Sequence, residues 1–516
     1  MVETGHPRRW WVLGVMCVSL ILVVAGVSSL NLAIPSIRDA LDATNTELLW
    51  IFDSYALVFA GLLLPAGALG DRFGRKEALV AGFLIFMGGA LAASSSGSAM
   101  QLIASRSAMG VGAALIMPAT LSIITVVFPP HERAKAIAIW AGFAGAGGAI
   151  GVLGGGLLLE AFWWGSVFFI NIPIAVVALV AVVAIVPTSR DENRRAFDPV
   201  GALLSMAGLT AMLFAIIEGP ERGWTNGLVL GSFAAATVLL VGFIRWELRV
   251  DAPMLDPRYF RNRFFALGSV AITLSFLAMF GMFFIITQYF QFAQGHSPLA
   301  AGVRTLPFAA TMVVVAPRSA AVAAKVGARR TVTAGLLVSA LGMTGLGLVS
   351  PGTHYGLVVI AIILIASGLA FLMPPSTEAI VSSLPRAKAG VGSAVNDTTR
   401  EVGGAVGIAL LGSLLSVGYR NGLGNVTDGL PAQAAAAAED SIGAAIQVAG
   451  QLGGEVGRAL VDAAAQAFTE GMQVSMWVAA GVLVAAAGIV WYFHPDRDAV
   501  GTGTVRHETE PTSEVT

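Results

Sequence analysis

Three acids fall inside long apolar stretches of this sequence: Asp53, Asp397 and Glu401. Arg106 and Arg400 lie in stretches of the same kind. A charge at membrane depth is costly, so it usually faces a watery cavity or a partner. A carboxylate held there can bind a proton or a positively charged guest, and burial brings its proton affinity toward neutral pH. Competition for one such group would couple two fluxes. Asp397 and Glu401 are four apart and share a helix face, while Asp397 and Arg400, three apart, can pair. Arg400 and Glu401 are adjacent in sequence and do not share a face. Asp53 and Glu401 are both candidates for coupling, with a helix–helix hydrogen bond or an interfacial ion pair as the structural alternative. Arg106 begins about one turn inside its stretch, where it either faces the interior or snorkels to an interface.

Phe276, Phe280, Phe283, Phe284, Gln288 and Gln291 lie in another stretch. Rings and amides suit a cavity for bulky hydrophobic ligands, although packing or lipid-facing aromatics is the plainer reading. Other chemistries find little support. Cys17 is the single cysteine, and no Cys/His spacing fits a metal. The six histidines read as loop or tail residues, so no catalytic cluster is expected and the chain does not read as an enzyme. There is no G-x-x-x-x-G-K-[ST] loop for ATP, so any pumping would draw on an ion gradient, with no bound cofactor. A net charge of -1 gives no reason to expect a nucleic-acid partner.

These residues need elements to hold them. With 56% hydrophobic and 12% charged residues, 516 residues carry too little polar surface for a water-soluble domain. Fourteen apolar runs are long enough to span a bilayer: 11–34, 47–69, 78–95, 102–127, 134–159, 165–187, 198–218, 226–246, 264–291, 300–323, 331–349, 355–378, 391–416 and 471–493. They are continuous rather than alternating, which predicts helices and excludes a barrel. The first run is too long for a signal peptide and reads as a retained helix. With the N-terminus inside, only Arg38, Arg222, Arg420 and Arg458 fall in outer loops, against about 22 lysines and arginines in inner ones. Both termini are then cytoplasmic. The segment 417–470, rich in Ala and Gln, is expected to form short amphipathic helices on the outer face, or a flexible linker. The tail 494–516 is polar and expected to be disordered.

The most specific motif is Gly67-Ala-Leu-Gly-Asp71-Arg72-Phe-Gly74-Arg75-Lys76, in the loop after the second run. Asp71 can pair there with Arg72 or Arg75, or sit near the positive end of a helix, and Gly74 permits a tight turn. The basic loop at 324–329 echoes it without the acid, eight helices later. The complete string resembles the loop signature of the major facilitator superfamily. Trp50-Ile-Phe-Asp-Ser-Tyr55, Arg106-Ser-Ala-Met-Gly110-Val-Gly112 and Phe162-Trp-Trp-Gly-Ser-Val-Phe-Phe-Ile-Asn-Ile-Pro173 resemble further strings of its fourteen-helix drug:proton antiporters. Gly147, Gly151, Gly155 and Gly156 resemble the antiporter motif, and Asn396-Asp-Thr-Thr-Arg-Glu401 with Val-Gly-Gly404 a late-helix string. The likeness covers nearly the whole chain and is strongest toward bacterial exporters of quaternary ammonium compounds and methyl viologen. Three positions depart from it: Val152 stands for a motif proline, Met109 for a glutamine and Gly26 for a first-helix aspartate.

The resemblance implies an all-α membrane fold of two six-helix bundles with two extra central helices. Residues 1–190 would form the first bundle, 191–263 the two linker helices and an inner connector, and 264–493 the second bundle. It implies proton-coupled export of hydrophobic or cationic compounds across the plasma membrane, and so drug resistance, by a monomer. The proton gradient would stand in place of a cofactor. Arg106 would tune proton transfer alongside Asp53, Asp397, Arg400 and Glu401. Gly67, Asp71, Arg72, Gly74, Arg75 and Lys76 would form an inner gate. Asn31, Phe280, Phe284, Gln288 and Gln291 would line the substrate cavity. Export of a neutral natural product or a lipid, and a non-transporting membrane sensor, are the other readings.

Overall fold

A computed structural model describes residues 5–190 and 197–495. The tail expectation beyond His494 and Pro495 therefore lies outside the described residues. The first half contains α1 (Arg9–Ser28), α2 (Leu30–Leu41), α3 (Asn45–Phe73), α4 (Arg75–Ser94), α5 (Ala99–Val127), α6 (Pro130–Ala161), α7 (Ser166–Phe169) and α8 (Asn171–Ile185). A hairpin follows, α9 (Pro199–Arg222) and α10 (Gly227–Glu247). The rest comprises α11 (Arg263–Gln288), α12 (Pro298–Val326), α13 (Ala328–Leu346), α14 (Tyr355–Ser382), α15 (Ala389–Leu423), α16 (Ala432–Asp440), α17 (Ile442–Leu452) and α18 (Gly454–Phe493).

Among the described residues, thirteen helical segments are long and apolar enough to cross a bilayer. The expected fourteenth is α13, whose Arg329, Arg330, threonines and glycines dilute its apolar character. It packs in the bundle against α14 and α18. The count is thus thirteen to fourteen. Three expected runs differ in detail. The first breaks at Ser29, where the Ser28 hydroxyl bonds the Val24 carbonyl at 3.2 Å, a competition that bends helices. The sixth opens with the short α7. The last begins at Gly454 instead of 471, because the Ala-rich stretch before it has no proline to stop it. Of the rest of the outer segment, 417–423 continue α15, and α16 and α17 follow.

Lipid offers backbone no hydrogen bonds, so the helices satisfy their own, and polar caps finish the ends. Thr44 and Glu47 form a reciprocal capping box at α3. Gly74 joins α3 to α4 with φ +124, and Gly327 joins α12 to α13 with φ +93. Only glycine adopts such angles cheaply. The loop echo is therefore also an echo of backbone shape.

The apolar core falls mainly into two clusters. One is built by α1–α8, the other chiefly by α11–α18 with a few residues of the α9–α10 region. Two seams join them: α3 against α15, and α6 against α12. The hairpin α9–α10 lies beside the first seam, with α9 on both α3 and α15. Within the first half, the spacing of Gly147, Gly151 and Gly155 brings α6 onto α1. A Cβ at Gly151 would lie 2.5 Å from the Ala25 carbonyl oxygen. The exchange Gly151→Ala should therefore destabilise the protein by about 1–3 kcal/mol, read as a lower melting temperature in detergent. Gly231→Ala, on α10 with open space around it, should leave the melting temperature unchanged or raise it.

Candidate functional site

At the end of the bundle carrying the basic loops, Asp71 holds the two halves together. Arg75 donates to its Oδ1 from Nε at 2.9 Å and from Nη2 at 2.7 Å. The amides of Gly390 and Val391 donate to its Oδ1 and Oδ2 at 2.9 and 3.1 Å. Those amides belong to the first turn of α15, whose N–H groups have no helical partner and carry partial positive charge. One carboxylate thus caps a helix of the opposite half and neutralises a buried arginine. Arg75 also donates to the Arg386 carbonyl at 2.8 Å. Gly67 makes this approach possible, since a Cβ there would lie 2.5 Å from the Gly390 carbonyl oxygen. Of the two expected partners Asp71 takes Arg75, while Arg72 lies 5.2 Å from the Phe73 ring centroid. Lys76 reaches the Val183 carbonyl at 2.8 Å. A second link across the halves is Arg133 on α6 with Glu378 on α14, at 3.9 Å.

Deeper in the bundle, Arg106 is fully buried on α5 and does not snorkel. Its Nε donates to the Ile51 carbonyl at 3.2 Å and its guanidinium lies 4.4 Å from the Tyr55 ring centroid. Both terminal nitrogens, and the Tyr55 hydroxyl, lack hydrogen-bond partners among the described residues. Glu401 lies on α15 within electrostatic range of Tyr55. It is half-buried and makes no hydrogen bond or ion pair among the described residues. Asp53 is half-buried and unpaired too, but occupies another face of α3. It shares a helical stripe with Trp50, Leu57 and Ala60, and the last two pack against α9. Its charged neighbours are Glu218 and Glu221 of that helix. Arg106 and Asp53 are thus not brought together, although both involve α3.

A third group surrounds Arg400. It pairs with Asp397 at 3.6 Å, and its guanidinium lies 4.7 Å from the Phe276 ring centroid and 5.7 Å from that of Trp140. Phe276 is on α11, and Trp140 comes from α6 in the opposite half. Trp140 donates to Thr120 at 3.2 Å. Asn396 donates to Asp397 at 3.3 Å and accepts from Thr377 at 3.0 Å.

The expected cavity residues scatter. Phe280 stacks near Phe276 and fills the space over Gly404. Phe284 is largely exposed. The Gln288 amide donates to the Phe284 carbonyl of its own helix at 3.2 Å, and Gln291 is half-buried in the widened turn that ends α11. The side chains of Asn31 and Val152 lie outside the described residues, and Gly156 is buried in α6. A Cβ at Gly26 would meet Phe86 and Asn171 at 3.5 and 3.6 Å, so the departure from the family aspartate sits against a polar neighbour.

The sequence model of the Major Facilitator Superfamily matches residues 16–408. The chain belongs to that superfamily. Among curated relatives it is 35% identical to the multidrug efflux pump LfrA of Mycolicibacterium smegmatis, over 94% of this chain and 97% of that one. It is 33% identical to the methyl viologen resistance protein SmvA of Salmonella typhimurium, over 94% and 98%. It is 32% identical to the tetracenomycin C resistance and export protein of Streptomyces glaucescens, over 94% and 91%. These relatives place it with the superfamily's drug exporters, as a multi-pass membrane protein. Two solved transporters share the fold: human MFSD10, with a TM-score of 0.62 at 13% identity over 94% of this chain and 100% of that one, and the proton:xylose symporter XylE, at 0.60 and 14% over 95% and 96%.

Tyr55, Trp140 and Phe276 were not among the residues that the sequence nominated for coupling or gating. Each acquires its part by approaching an arginine on another helix, which local spacing does not encode. Tyr55 was legible only as the last letter of a motif string. At the basic end, Asp71→Asn should cost about 3–5 kcal/mol, because it leaves Arg75 buried without its counter-charge. The swap Asp71→Arg with Arg75→Asp should fail to restore stability or transport, since the amides of Gly390 and Val391 require an acceptor at position 71. Thermal melts in detergent and vesicle transport check both.

Proposed function

We propose that this chain exports hydrophobic, cationic compounds across the plasma membrane in exchange for protons, with Glu401 as the main coupling carboxylate. The observation that carries this reading is the unpaired Glu401 opposite Tyr55, beneath which Arg106 holds a buried charge with unused donors. A carboxylate free of ion pairs can exchange a proton without first breaking one. Arg400, its neighbour on α15, adds a positive potential beside it, and Tyr55, which also faces Arg106, lies within its electrostatic range. Asp53 is the second proton carrier, placed at the α3–α9 contact instead of beside Arg106. The Gly67–Lys76 loop is the gate, and the two clusters of core residues are the bodies that rock about it. The names of the relatives supply the substrate class by analogy. The basic loops face the cytoplasm, which puts both termini inside, and the unit of transport is a monomer.

A neutral natural product or a lipid is the second substrate reading. Gly26 favours it, because α1 then carries no acid to attract a cation. Competition between cationic and neutral compounds separates the two.

In everted vesicles, uptake of a lipophilic cation should collapse to background when an uncoupler is added. Glu401→Gln should lower gradient-driven uptake to roughly the uncoupled level, and Asp53→Asn should lower it less. Full uptake by both variants, or uptake indifferent to the uncoupler, overturns the coupling assignment.

A further inference from the structure

Arg400 is surrounded by groups that recognise cations in general, and it is the cation they hold. Two aromatic faces lie within about 6 Å of its guanidinium, the range in which a ring attracts a positive charge. The rings are those of Trp140 and Phe276, at 5.7 and 4.7 Å. A carboxylate, Asp397, sits 3.6 Å from it. All three groups are almost fully buried. Yet the arrangement is not a tight ion pair. One guanidinium nitrogen of Arg400, Nη1, has no hydrogen-bond partner among the described residues, and neither has Oδ2 of Asp397. A bidentate Arg–Asp fork would have used both. The side chain is held mainly by rings and by charge, which is how a quaternary or lipophilic cation without N–H donors is held. The cage is also split between the halves, since Trp140 is on α6 while Phe276, Asp397 and Arg400 are on α11 and α15. Separation of α6 from α15 would therefore open it.

We propose that Trp140, Phe276 and Asp397 form the binding cage for the cationic head of a transported compound, and that Arg400 occupies it as a tethered stand-in which the compound displaces. This rests on the export of cations proposed above. Arg400 then sets a threshold for binding: a guest must outcompete a guanidinium already in place. Asp397 serves whichever cation is present and need not carry the coupling proton. Specificity follows from the lining. Two rings and one carboxylate favour a delocalised or alkylated cation over a strongly hydrated one.

Binding to purified protein in detergent tests the cage, with tetraphenylphosphonium as the cation and triphenylphosphine oxide as the neutral probe. Removal of the tethered charge by Arg400→Gln should tighten tetraphenylphosphonium binding roughly three- to tenfold, while Arg400→Lys, which still supplies a cation, stays near the wild type. Trp140→Leu should weaken tetraphenylphosphonium binding about threefold or more without changing that of the neutral probe. If Arg400→Gln does not yield folded protein, Trp140→Leu examines the cage from the other half. Wild-type binding of tetraphenylphosphonium with neither Arg400→Gln nor Trp140→Leu altering its affinity overturns the cage and leaves cation export standing. Absence of tetraphenylphosphonium binding by wild type and Arg400→Gln alike overturns both.

Discussion

The carboxylate of Asp71 fastens one half of the molecule to the other. It accepts four hydrogen bonds, two from Arg75 and two from the opening turn of α15. Neither charge could be buried alone at acceptable cost, and the helix end would otherwise leave amides without partners. The three demands are met at one point, so the contact forms as a whole or not at all. That suits a gate better than an adhesive patch, which would loosen gradually. Everything deeper in the bundle is arranged with this end closed: Gly67 against Gly390, Arg133 near Glu378, and the rings of α6 and α11 around Arg400.

The buried and half-buried charges divide by how they are accommodated. Asp71 and Arg75 are paired and saturated. Asp397 and Arg400 are paired but not saturated. Among the described residues, Arg106 has only an aromatic face and a carbonyl, and Glu401 and Asp53 make no hydrogen bond or ion pair. A static fold would gain by saturating all of them. Leaving some short of partners keeps alternative arrangements close in energy, and a molecule that must visit two conformations needs that.

Much of this was legible in the chain. Long apolar runs gave the helices, because backbone in lipid has no choice but to pair with itself. The Asp397–Arg400 pair lies at a helical spacing, so its partnership could be read directly, whereas Asp71 and Arg75 flank the turn at Gly74 and the sequence left Arg72 open as the alternative. The loop echo proved to rest on Gly74 and Gly327 sharing a backbone conformation. What escaped was of two kinds. Helix limits at Ser29 and Gly454 depend on weak local preferences, which a twenty-residue hydropathy window averages away. The neighbourhoods of Tyr55, Trp140 and Asp53 depend on which face each helix turns to its partners. Asp53 and Arg106 were both candidates for proton coupling, and nothing in their local spacing showed that they lie apart. One face of α3 meets α5 and another meets α9, and that separates them.

The terminal helix α18 runs for 40 residues. At about 1.5 Å per residue it is roughly 60 Å long, twice the hydrocarbon depth of about 30 Å. About half of its length must stand clear of the lipid tails, a mast on which α17 is moored. A fluorophore or antibody fragment attached near its tip would swing on a long lever. Small tilts of the second half would then register as displacements large enough to follow one molecule at a time.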